Sequence, residues 1–180
     1  MYVMRPPNTG WVTGLQKFVA DLPDKFIMAE IGSYAGESTT IFAQRASRIY
    51  AIDPWVNYVE KNPTQMVSMQ DLPEAEAAFD KVLARFPSII IKVRGYSADV
   101  VKDVPDKSLD VVYIDGNHEY KHVIEDVNIW TPKIKVGGVI AGHDYADNIY
   151  HDVKRAINEM FGKPDKVYDD MSWAKWLRTS

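Results

Sequence analysis

The sequence predicts an α/β fold built as a doubly wound, mainly parallel sheet, and three observations predict it. Apolar runs of strand length alternate with amphipathic helical stretches from Phe26 onward, the pattern of repeated strand-helix units. Each of the five main apolar runs closes on glycine or an acidic residue, as expected of strands that end at a ligand-bearing rim. The chain has 180 residues, 46% of them hydrophobic and 26% charged, which suits one core of ordinary globular composition and a single domain over 1–180.

Taken in order, residues 1–25 contain a short helix at "GLQKFVADLPD" and read as a helical cover in a lid or edge position. The core spans 26–161. Its strands are "FIMAEIG", "RIYAID", "SIIIKVRG", "LDVVYIDG" and "GGVIAGHD". Between them "STTIFAQRAS", "PEAEAAFDKVLARF", "SADVVKD" and "EYKHVIEDVNIWTPKI" carry helical spacing, and Asp71 with Glu74 forms a capping-box signature before the second. These helices cross over between parallel strands. "IYHDVKRAINEMFG" predicts one more helix, and "KVYDD" with "WAKWLRT" predicts an antiparallel strand pair over 162–180. The segment Trp55–Gln70 has no clear period and reads as a long loop.

Composition excludes several classes. The net charge is −4 and no Lys/Arg block tracks a phosphate backbone, so nucleic acid is not an expected partner. The chain has no cysteine, which removes disulfide scaffolds and thiolate metal sites. "MYVMRPPNTG" meets prolines and polar residues before any apolar signal core develops, and no run approaches a membrane span. A cytoplasmic protein without membrane contact is expected. Apolar residues around Trp173 and Trp176 point to a homo-oligomer, with a packed terminal strand as the alternative.

The most informative stretch is "AEIGSYAGES", Ala29–Ser38. Gly32 and Gly36 let the backbone turn tightly after the first strand, with Ser33 and Tyr34 inside the turn. Ser38 begins a helix whose N-terminal N–H groups face an anion. Asp53 ends the second strand about 20 residues downstream, where an acid accepts both hydroxyls of a ribose. An adenosine-bearing cofactor follows. The spacing E-x-G-x-x-x-G differs from the nicotinamide fingerprint G-x-G-x-x-G. It resembles the first motif of class I S-adenosylmethionine-dependent methyltransferases, a Rossmann-like fold. That resemblance implies that Glu30 helps to fix the amino-acid end of S-adenosylmethionine. Trp55 is a candidate to stack on adenine or line the acceptor pocket, and Tyr96 and Ser97 in "RGYSAD" are candidates to flank the base, against simple packing and a simple turn.

A second constellation lies at the ends of strands four and five. "YIDGNHEY" and "AGHDY" place Asp115, His118, His143 and Asp144 on the same rim. Neighbouring strands are about 4.8 Å apart, so Asp115 and Asp144 can share a divalent cation with His143 nearby, unless the aspartates only cap turns. Oxygen-rich ligation favours magnesium, with manganese as the alternative. "YIDGNHEYKHVIEDVNIW", "VGGVIAGHDY" and "VKRAINEMF" together resemble the metal-dependent sugar O-methyltransferases of macrolide and aminocoumarin pathways and their bacterial relatives, over about residues 26–161. The resemblance implies that Asp115 and Asp144 ligate metal and that His118 is the general base. The chain departs from it at His143, where that family often has an acid; His143 is read as a ligand, a neighbour of one or a bystander.

The expected activity is methyl transfer to a hydroxyl oxygen of a small diol-bearing acceptor, sugar-like or catechol-like. An alcohol ionises poorly near neutral pH, so a chelated diol and a histidine base answer the chemical need. Two rivals are a binding protein for the same cofactor without catalysis, and a zinc peptidase. For the latter, His118-Glu119-Tyr120-Lys121-His122 satisfies H-E-x-x-H, a motif that works only inside a helix. "IDGN" puts His118 at or before the first turn.

Overall fold

The computed structural model describes residues 10–56, 72–147 and 151–178. In chain order the elements are α1 (Gly10–Asp21), β1 (Ile27–Ile31), α2 (Glu37–Phe42), β2 (Arg48–Asp53), α3 (Leu72–Arg85), β3 (Ile90–Arg94) and α4 (Ser97–Val100). Then follow β4 (Leu109–Ile114), α5 (Tyr120–Trp130), β5 (Ile134–Gly142), α6 (His151–Phe161), β6 (Lys166–Val167) and β7 (Trp173–Trp176). One seven-stranded sheet runs β3-β2-β1-β4-β5-β7-β6. Strands β1 to β5 pair in parallel, and β7 pairs antiparallel with both β5 and β6. The predicted doubly wound sheet with an antiparallel C-terminal pair is therefore observed. The strand order reverses between β1 and β4, the place where such sheets open a ligand crevice.

Strand alternation divides the core into two layers. Along β4, Val111 and Tyr113 face one layer while Val112 and Ile114 face the other. The first layer takes α1, α2 and α3 through Leu15, Phe18, Phe42 and Phe79; the second takes α5 and α6 through Val127, Trp130 and Ile157. α1, α3, α5 and α6 supply apolar residues three and four apart, the spacing that buries one helical face. Burial of a large apolar side chain contributes about 1.5–3 kcal/mol relative to exposure.

Three expectations need correction. α1 packs flat on a sheet face: Val12, Leu15, Phe18, Val19 and Leu22 are buried, and the Phe18 ring lies 5.7 Å from that of Tyr113 and 5.6 Å from that of Tyr168. The helix expected to run on to Ile134 ends at Trp130, gives way to a 3-10 turn holding Pro132, and β5 starts at Ile134. Proline has no N–H to continue the ladder, and Gly137, at φ 81°, absorbs the register shift between β4 and β5. Trp173 is fully buried and Trp176 packs against the first layer, so the packed terminal strand accounts for both tryptophans. Asp71 of the capping box lies outside the described residues, as does most of the long loop after Trp55.

Candidate functional site

A cavity of about 940 Å³ opens at the carboxyl ends of β1, β2, β3, β4 and β5. Its floor is the turn after β1. Gly32 is at φ 90° and Gly36 at φ 81°. A side chain at Gly32 would put its Cβ 2.1 Å from the carbonyl oxygen of Asp115, so glycine alone lets the β1 and β4 ends meet. Four non-glycine residues with positive φ, Tyr34, Trp55, Asp144 and Met171, also lie on or beside this cavity. Strained backbone held in place by its surroundings is a mark of functional sites.

Glu30 answers to strand alternation. It points to the same face as Met28, under the turn and toward α2. Its carboxylate is fully buried, and Ser33 donates to Oε2 at 2.8 Å while the hydroxyls of Ser38 and Thr39 donate to Oε1 and Oε2. Burial pushes the Glu30 carboxyl up to about 7 against the lowering effect of these hydroxyls. Glu30 is not in the cavity wall, whereas Gly32, Ser33, Tyr34 and Ser38 are. The resemblance implied that Glu30 helps to fix the amino-acid end of the cofactor; in the structure it is a brace that ties the turn to the start of α2.

Asp53 ends β2 in the cavity wall. Its Oδ2 accepts the Tyr34 N–H at 2.9 Å and its Oδ1 accepts the Trp55 N–H at 2.7 Å. Burial raises its pKa against these two bonds. Each oxygen keeps a lone pair for a ligand hydroxyl. Trp55 itself is buried, packs its ring at a tilt 5.0 Å from that of Phe79 and donates its indole N–H to the Tyr34 carbonyl at 2.8 Å. It lies outside the cavity wall, which takes Pro54 and Val56 instead. The proposed stacking role of Trp55 is thus corrected to packing. Tyr96, half exposed, and Ser97 both line the cavity.

β4 and β5 are neighbours, so Asp115, His118 and Asp144 converge. Each offers one ligand atom, all within 4.8 Å of one another. His118 Nε2 lies 2.9 Å from Asp144 Oδ2 and 3.8 Å from Asp115 Oδ1. His143 Nδ1 meets Asp144 Oδ1 at 3.1 Å, while its Nε2 is buried with no partner among the described residues. The compact cluster therefore holds His118 in the position expected of His143. Burial would raise the Asp144 carboxyl, but the hydrogen bonds from His118 and His143 hold it well below the usual carboxylate range. Burial pulls the His143 imidazole down, and the bond to Asp144 with the charges on Asp115, Asp144 and Asp170 outweighs it, raising it to about 9.

The H-E-x-x-H stretch does not form the peptidase helix. α5 starts at Tyr120, after His118 and Glu119. His122 lines the cavity and pairs with Glu125 at 3.5 Å. Sequence reasoning also missed Asp126, which is buried in the cavity wall. Its signal was present: the buried positions of α5 are Val123, Asp126, Val127 and Trp130, so an aspartate occupies the helix's apolar stripe.

The fold and its rim define a Rossmann-like protein with an acid-anchored crevice at the β1/β4 switch. Residues 29–145 match the family model described as Methyltransferase domain, Methyltransf_24, and the chain belongs to that family. Among solved structures it is similar to cofactor-bound Rv0187 from MTB, at TM-score 0.67 and 16% identity over 100% of this chain and 84% of that one. It is also similar to the O-methyltransferase TomG from Streptomyces achromogenes, solved with SAM, at TM-score 0.63 and 14% identity over 99% and 82%. The O-methyltransferase from Bacillus cereus in complex with SAH gives TM-score 0.60 and 15% identity over 94% and 79%. At these identities the shared property is the fold. Two sequence relatives are y4gI of Sinorhizobium fredii, 24% identical over 77% of this chain, and R132 of Acanthamoeba polyphaga mimivirus, 26% identical over 69%. The chain spans 15% and 53% of those proteins' lengths. Among the described residues no helix is long and apolar enough to cross a membrane.

Proposed function

We propose that the protein is an S-adenosylmethionine-dependent O-methyltransferase acting on a small acceptor with adjacent hydroxyl groups, sugar-like or catechol-like. One observation carries the reading: Asp53 with the Gly32 turn, and the Asp115–His118–Asp144 cluster, open onto a single cavity. When bound, the cofactor supplies a sulfonium-activated methyl carbon. The protein's share is then alignment and proton removal. Asp53 accepts the ribose hydroxyls, and the turn brings bare backbone against the amino-acid end.

The donor set fits a hard divalent cation, magnesium or manganese, held by Asp115 and Asp144. Such an ion, when bound, lowers the pKa of a hydroxyl it touches. His118 takes the acceptor's proton. Asp144 engages its Nε2 at 2.9 Å, which fixes the ring, and the ionised carboxylate stabilises the imidazolium that forms. A second reading has its own observation: Nε2 lies close enough to both carboxylates to serve as a third ligand. The cavity wall carries Asp53, Asp115, Asp126, Asp144 and Asp170, which disfavours a phosphorylated or carboxylated acceptor.

The test is methyl transfer to catechol and sugar diols with and without EDTA. Loss of transfer in chelator and its return with magnesium support the metal reading. Undiminished turnover in EDTA removes the ion and leaves the His118–Asp144 pair as the base. Cofactor binding with no transfer to any diol favours a binding protein.

A further inference from the structure

On that reading of the cavity, we propose that Asp126 selects the adenine base by accepting its exocyclic amino group, making it a specificity-determining residue for the cofactor. The observations come from three elements. Gly95 donates its N–H to the Asp53 carbonyl at 3.1 Å, so the loop from β3 to α4 abuts the ribose anchor. Two residues on, the Ser97 hydroxyl donates to Asp126 Oδ1. Trp130 Nε1 donates to the same hydroxyl oxygen at 2.8 Å.

This chain of bonds has one possible direction. An indole N–H only donates, so the Ser97 oxygen accepts from Trp130 and its single proton goes to Asp126. Asp126 is thereby fixed as an acceptor in a rotamer set by two other side chains. Its Oδ2 accepts no hydrogen bond among the described residues and lies toward Gly116, 4.0 Å from where a Cβ there would stand. Gly116, Ser97 and Asp126 all line the cavity. The residue is only 7% exposed. Burial raises its carboxyl to about 6, which leaves it mainly ionised at neutral pH.

An ionised oxygen of a largely buried residue that reaches into a cavity is a strong acceptor for a donor bound there. Adenine's edge offers one donor group, the amino group at C6. Hypoxanthine carries an oxygen there, so the same pocket would face two acceptors with each other. Sites built around such a bond reject the mismatched analogue strongly.

The experiment compares S-adenosylhomocysteine with S-inosylhomocysteine by calorimetry on the wild-type protein and on Asp126→Asn. The wild type is expected to bind the adenosyl ligand about 100-fold more tightly. Asp126→Asn keeps an oxygen for Ser97 and turns an amide N–H₂ toward the base, so the preference should fall to within about 3-fold or reverse. Equal wild-type affinity for the two ligands overturns the proposal, and that comparison needs no variant. A variant that weakens both ligands by one factor, with the ratio retained, overturns it too, because it makes Asp126 a merely structural group. Binding of neither ligand by the wild type rejects the cofactor reading and this proposal together; binding of both with no discrimination rejects this proposal alone.

Discussion

Gly32 and Asp115 meet backbone to backbone at the strand reversal: the Cβ that Gly32 lacks would stand 2.1 Å from the Asp115 carbonyl oxygen. That contact couples the cofactor turn to the strand end bearing the acidic cluster. The Asp115 N–H also donates to the Ile31 carbonyl at 2.8 Å, which ties the two strand ends together.

Gly32→Ala is therefore expected to destabilise by more than about 3 kcal/mol, combining steric overlap with strain at φ 90°. Gly137→Ala is its control. Gly137 has φ 81° but nothing within 4 Å of its would-be Cβ, so strain alone remains, about 1 kcal/mol. Urea unfolding of both variants checks the difference; equal losses would mean that the β1–β4 contact is not as tight as described.

Glu30 gives a pH prediction. Its carboxyl titrates at about 7 in the folded protein against an ordinary value of 4.5. The folded state therefore holds the proton more tightly, and Glu30's contribution to stability is complete below about pH 4.5 and is lost as pH rises through about 7. Glu30→Gln keeps an acceptor for two of the hydroxyls and cannot titrate. The stability of the wild type relative to this variant should fall between pH 4.5 and 8, measured by chemical denaturation at each pH. Parallel curves would place the Glu30 titration elsewhere. Glu30→Ala, which orphans three buried hydroxyls, should cost about 2–4 kcal/mol at any pH in that range.

His118→Ala should reduce kcat by about 100-fold or more while S-adenosylhomocysteine affinity changes little. If His118 instead ligates the ion, the same variant raises the metal concentration needed for half-maximal activity, and excess metal restores turnover. Equal loss of cofactor affinity and turnover would make it a structural residue.

Much of this arrangement was legible in the chain because the signals were local. Each of the five parallel strands was an apolar run closing on glycine or an acid, and the order of rim residues Gly32, Asp53, Asp115 and Asp144 followed from strand ends alone. What depended on side-chain direction was not. Glu30 looked like a ligand contact until the alternation Met28–Glu30 sent it under the turn onto three hydroxyls. Trp55 sits one residue past Pro54, and its positive φ turns the indole back to Phe79 and away from the crevice. The choice between His118 and His143 rested on how the loop before α5 folds back over β5, a long-range event with no sequence period. Asp126 was readable but overlooked, as a charge on an apolar stripe.

Trp55→Phe separates packing from ligand contact. The variant keeps the ring contact with Phe79 and loses the bond to the Tyr34 carbonyl, so stability should fall by about 1 kcal/mol with cofactor affinity within several-fold of wild type. A 100-fold loss of affinity would restore the stacking role.

The central claim is that the crevice between β1 and β4 holds an adenosyl cofactor by the Asp53 carboxylate. Calorimetric titration of the wild type and Asp53→Ala with S-adenosylhomocysteine tests it most directly. The account predicts one bound molecule per chain and a loss of about 30-fold or more in the variant, since two ribose hydroxyls lose a charged acceptor. Absence of binding by the wild type, or unchanged affinity in the variant, would contradict it.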